Sequence, residues 1–175
     1  MKFFAPILLL SLLVTCTTYD SALVYHKNFN HGHHPLLRFN GYYDDTTANN
    51  NIDLFYPGVK PVFFYSEGSS FSTDNSTVRG SALIQQIETN RLKGSWGNYL
   101  IKGDSITLEK FQLIKSNYER IILKGIVSEN KIRWTSRKDH NEVFKPVDYS
   151  IYFKPFSAKP DSLRNFIRTK EKYNK

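Results

Sequence analysis

The chain of 175 residues contains one cysteine, Cys16. A lone thiol has no partner for an internal disulfide, so the fold must rest on its core. Long apolar runs are also missing. The uncharged stretch from Phe3 to Val14 is broken by Thr15, Thr17, Thr18 and Asp20, well short of the roughly 20 apolar residues a spanning helix needs. No nucleophile elbow, zinc-binding helix motif, phosphate loop or cysteine paired with histidine is present, and no enzymatic chemistry is expected. Acidic residues are few, 16 against 24 basic ones, giving a net charge of +8. The surplus lies at one end: seven basic and two acidic residues follow Phe153, whereas 16 and 14 lie between Cys16 and Phe153. A basic tail reads as the solvated face of a surface helix, or as a contact with anionic lipid, and no nucleic-acid partner is expected.

What is present begins with Lys2 and the apolar run behind it, the charged and hydrophobic regions of an export signal. The segment Leu13-Val14-Thr15-Cys16 resembles the lipobox of bacterial lipoproteins. That resemblance implies cleavage after residue 15, acylation of Cys16 by chains such as palmitate, and a bilayer as partner through the acylated Cys16. Two or more chains anchor stably, since each buried CH₂ contributes about 0.8 kcal/mol. The expected location is the bacterial cell envelope, at the outer membrane.

Residues 16–35 read as a flexible tether, with Asn28, Asn30, Gly32 and four of the five histidines. His26, His31, His33 and His34 are metal-binding side chains, but ordering so loose a stretch would consume much of the binding energy. No metal site and no cofactor are expected. The oxygen-rich stretch from Asp45 to Asp53 lacks the turn glycine and closing glutamate of a calcium loop and reads as a connection. His140, beside Asp139 and near Glu142, lies in a polar link and is not taken as a catalytic base.

From residue 36 to 156 the texture is strand and turn. Runs rich in Val, Ile, Phe and Tyr cover 36–43, 52–56, 62–66, 70–73, 96–102, 105–113, 119–127, 131–136 and 147–153. Gly103 and Asn130 are placed to supply the positive φ of two tight hairpins. Ile106 and Leu108, Ile132 and Trp134, and Tyr149, Ile151 and Phe153 alternate with polar residues, the period of two of a sheet with one wet face. The stretch 81–92 fits a helix or a strand. Over 161–173, Asp161 caps a pattern of Leu163, Phe166 and Ile167, which predicts a short amphipathic helix within the tail 157–175. The fold class is mainly β, an antiparallel meander closing into an up-and-down barrel, with a β-sandwich as the alternative and a short C-terminal α-helix.

Gly41-Tyr42-Tyr43, the segment 63–68, Gly94-Ser95-Trp96-Gly97-Asn98-Tyr99 with Gly103-Asp104-Ser105-Ile106, and the closing segment 149–153 together resemble small bacterial lipoproteins with a lipocalin-like, calycin-type domain over residues 36–156. True lipocalins carry Gly-x-Trp on the first barrel strand, whereas Gly94-Ser95-Trp96 follows several strands, so no ligand carries over. Trp96, Tyr99, Trp134, Tyr149 and Tyr152 are the candidate residues for lining a ligand cavity. The expected function is non-catalytic binding of a small apolar ligand or an envelope protein by an anchored barrel. The alternatives are a structural envelope lipoprotein with a filled core and an enzyme of unrecognised type.

Overall fold

The computed structural model describes residues 34–45, 60–74, 78, 80–114, 117–139 and 142–162. Cys16, most of the tether, the 52–56 run, His140 and the segment 163–175 of the expected C-terminal helix lie outside the described residues. The strands are β1 (Gly41–Asp44), β2 (Val62–Phe64), β3 (Ser69–Thr73), β4 (Gly94–Lys102), β5 (Ser105–Ile114), β6 (Asn117–Ser128), β7 (Lys131–Asp139) and β8 (Lys145–Pro155). Each pairs antiparallel with its neighbour in sequence. The first then pairs with the last, from Gly41↔Pro155 to Asp44↔Tyr152. The result is a closed barrel of eight strands. Closure, rather than a second packed sheet, satisfies the strand edges, which decides for the barrel over the sandwich.

The β4–β5 and β6–β7 turns lie at one end. Gly103 has φ 61° at the first central position between β4 and β5, where a II′ hairpin turn requires it. Asn130, in the β6–β7 turn, is not left-handed; among the described residues the non-glycine residue with positive φ is Asn90. Instead, the Asn130 carbonyl accepts a hydrogen bond from Phe153 N–H at 2.8 Å, tying the turn to β8. The segment 34–40 closes this end. Leu36, Leu37 and Phe39 pack on the lumen cluster, and the His34 ring lies 2.7 Å from the Gly103 carbonyl through Nε2. Because Leu36 N–H donates to His34 Nδ1, the proton of the neutral ring belongs on Nε2.

Every strand but β3 contributes apolar side chains to the lumen. Tyr43, Val62, Phe64, Tyr99, Ile106, Leu108, Ile121, Leu123, Val127, Ile132, Trp134 and Ile151 form one buried cluster. Trp134 lies opposite Gly125, where a Cβ would sit 2.9 Å from the Trp134 ring and 2.5 Å from the Arg133 carbonyl oxygen.

The 81–92 ambiguity resolves as a helix, α1 (Gly80–Glu88). Leu83 and Ile87, at i and i+4, face a second cluster on the outer wall with Phe63, Tyr65, Phe71, Trp96 and Phe111. Asn90, at φ 55°, ends α1 in a Schellman motif: Arg91 N–H donates to Gln86 O at 2.8 Å and Asn90 N–H to Ile87 O at 3.0 Å. Tyr42 of β1 lies on the same wall against Phe63 and Phe156, and every residue of β1, β2 and β3 is buried. The single wet face expected for the whole sheet is therefore limited to the other strands.

Candidate functional site

The end opposite the tight turns is built differently, and the cause is local alternation. In β3, Phe71 points outward to meet Trp96, with ring centroids 4.9 Å apart, which turns Ser70 and Ser72 into the lumen. Trp96 likewise turns Ser95 and Gly97 inward on β4. On β5 the inward series Ile106, Leu108 continues to Lys110. Register aligns these positions: Ser70 lies opposite Gly97, Gly97 opposite Lys110, and Lys110 opposite Ile121. The inner face of β3 and β4 thus offers nothing larger than serine from Ser70 to Gly97, and a lysine faces it.

Lys110 is 8% exposed and Ser70 0%. Lys110 Nζ donates to Ser72 Oγ at 3.2 Å, and Ser70 Oγ is buried without a hydrogen-bond partner. Arg137, opposite Leu123 on β7, ion-pairs with Asp139 at 2.7 Å. Burial, reinforced by the nearby cations Lys60 and Arg137 and opposed by Asp74, brings the Lys110 amine down to about 7. Desolvation disfavours the ammonium, and two like charges add to it. The arrangement is a buried polar patch of serines and one amine beside the apolar cluster, with the Lys110 stem packed against Gly97.

Of the five aromatic candidates, the fold brings three together. Tyr99 and Trp134 are buried in the lumen, and Tyr149 packs against the same cluster. Tyr99 is anchored by its hydroxyl, which donates to the Tyr65 carbonyl at 2.6 Å, and burial raises its pKa well above the usual phenol range. Trp96 sits on the outer wall and Tyr152 is 36% exposed. The two do not line the lumen, because a period of two that directs Ile151 inward must direct Tyr152 outward, and Trp96 alternates with the inward Ser95 and Gly97. Lys110 was not singled out from sequence, although the alternation of Ile106, Leu108 and Lys110 placed it on the inward face.

A cleft of about 110 Å³ lies on the outer wall between Phe71, Ile87, Leu92, Trp96 and Pro160. It falls short of the roughly 300–1,000 Å³ of ligand pockets. Among the described residues no three His, Cys, Asp or Glu side chains come together as metal ligands, and no helix is long and apolar enough to cross a membrane. In comparisons with family models, curated proteins and solved structures, nothing matches the chain.

Proposed function

We propose that the chain is an exported, lipid-anchored binding protein of the bacterial cell envelope, held by Cys16, whose lipocalin-like barrel takes a small molecule through the end lined by Ser70, Ser72, Ser95 and Lys110. The carrying observation is the polarity of the lumen. A barrel serving only as a filled scaffold gains nothing from a buried lysine and an unpartnered hydroxyl, each of which costs stability when desolvated. Supporting the reading, the apolar cluster of Leu108, Leu123 and Trp134 lies next to these polar groups, a pairing of surfaces that suits an amphipathic molecule.

The rival reading, a structural envelope protein, draws on the completeness of the apolar half, where Tyr43, Phe63 and Trp134 are among the largest fully buried side chains. The two tryptophans separate the readings. In W96F, Trp134 alone emits from the lumen; in W134F, Trp96 alone emits from the outer wall. An organic extract of the host envelope is expected to shift emission saturably in W96F and to leave W134F unchanged. Unchanged emission in both variants supports the structural protein.

A further inference from the structure

We propose that the outer wall of β6 and β7, together with Val143 and Phe144 in the β7–β8 connection, is a contact surface for an anionic lipid bilayer. This surface is separate from the lumen, and its role does not depend on what the lumen binds.

The exposed large apolar side chains among the described residues are Ile126, Val143, Phe144 and Tyr152. The first three gather around Lys124. On β6, Leu123 and Val127 belong to the lumen cluster, so Lys124 and Ile126 face outward, about 7 Å apart along the strand. Lys124 Nζ lies 4.3 Å from the centre of the Phe144 ring, and Lys138 Nζ of β7 lies 5.9 Å from it. The ring is 39% exposed and Val143 before it 77%. An isopropyl group and a partly covered phenyl ring thus stand in water with two ammonium groups beside them.

Charge selects the partner. The acidic groups nearby are each met by a cation: Asp139 by Arg137, Glu142 by Lys145 and Asp148 by Arg133. Lys124 and Lys138 form no ion pair with a described carboxylate and instead face the ring, so the surface keeps an excess of positive charge. A dry protein interface disfavours lysine at its centre, and here Lys124 interrupts the apolar surface between Phe144 and Ile126. A bilayer suits the same arrangement. Lysine ammonium groups reach lipid phosphates while their stems, with Val143 and Phe144, enter the head-group region. From Thr17 to His33 the chain spans up to about 60 Å when extended. That exceeds the roughly 40 Å of the 12-residue β6, so acylation at Cys16 permits this side of the barrel to reach the same bilayer.

The test uses full-length F144W, which keeps an aromatic ring suited to the interface, in phosphatidylcholine vesicles with and without phosphatidylglycerol, their acyl chains brominated near the head group. Trp96 and Trp134 are 6% and 1% exposed, so the wild-type chain supplies the background emission. The added emission of F144W is expected to be quenched in vesicles containing phosphatidylglycerol, and to recover in about 1 M salt, where the Debye length is about 3 Å. Adding K124Q and K138Q is expected to reduce the fraction in contact about tenfold or more, each lysine near such a surface counting for about fivefold. Equal F144W emission in brominated and ordinary phosphatidylglycerol vesicles overturns the proposal, and so does equal quenching with and without phosphatidylglycerol. If vesicles have no effect while polyglutamate shifts the F144W emission, the surface belongs to an acidic protein and the lipid contact falls.

Discussion

The Trp134 ring packs over residue 125 because that position has no side chain. A methyl group there meets a carbonyl oxygen at 2.5 Å, and backbone is not free to move aside, so G125A is expected to lose about 1–3 kcal/mol in urea unfolding. Emptying the lumen instead, by W134A, is expected to cost about 3–5 kcal/mol. Lys110 makes a different contribution, one that depends on pH. Its folded value of about 7 lies below the ordinary 10.5, so between these values the unfolded chain binds more protons than the folded one. Stability therefore rises with pH above 7, with a limiting slope of about 1.4 kcal/mol per pH unit. Near pH 10 the sign turns: burial raises Tyr43, Tyr65 and Tyr99 above their ordinary 10.0, so the folded state then holds the extra protons and stability falls. Urea unfolding of wild type and K110M from pH 6 to pH 10 checks this. The rising component is expected to be absent from K110M, and equal slopes in both proteins contradict a buried neutral amine.

At the scale of elements, α1 depends on one buried anchor. Leu83 is 0% exposed beneath the outer-wall aromatics, and L83A is expected to lose about 2–5 kcal/mol in urea unfolding. Much of this level was legible from residues. The turn at Gly103, the alternating strands β5, β7 and β8, and closure as a meander follow from side chains whose two faces differ in polarity. The runs 36–43, 62–66 and 70–73 also mark β1, β2 and β3, but not the burial of both their faces, because a strand covered on both sides leaves no contrast to read. The helix in 81–92 became distinct only through its contact with Phe71 and Trp96 and its Asn90 cap. For the candidate site the same rule worked when followed strictly: alternation separates Trp96 and Tyr152 from the lumen and places Lys110 within it. Aromatic character alone does not distinguish a lumen face from a wall covered by a helix.

At the scale of the whole molecule, the barrel is uneven around its circumference. The β5–β6 ladder runs unbroken from Ser105↔Ile126 to Ile114↔Asn117, whereas β1 and β2 meet at one register position, Tyr43↔Val62. Hydrogen exchange is expected to be fastest along the β1–β2 seam and slowest between β5 and β6; uniform protection contradicts this account of the closure. Along the barrel axis the asymmetry is chemical. One end is plugged by the segment 34–40 and held by His34 on the Gly103 carbonyl. Toward the other, β3, β4 and β5 turn Ser70, Ser72, Ser95 and the buried Lys110 inward, and the proposed function follows from that polarity. Native mass spectrometry of the full-length chain, purified gently from its own host, tests it most directly. The expected result is a small molecule bound in addition to the acyl groups and released by organic extraction. A mass that shows only the acylated chain, before and after extraction, contradicts the binding function.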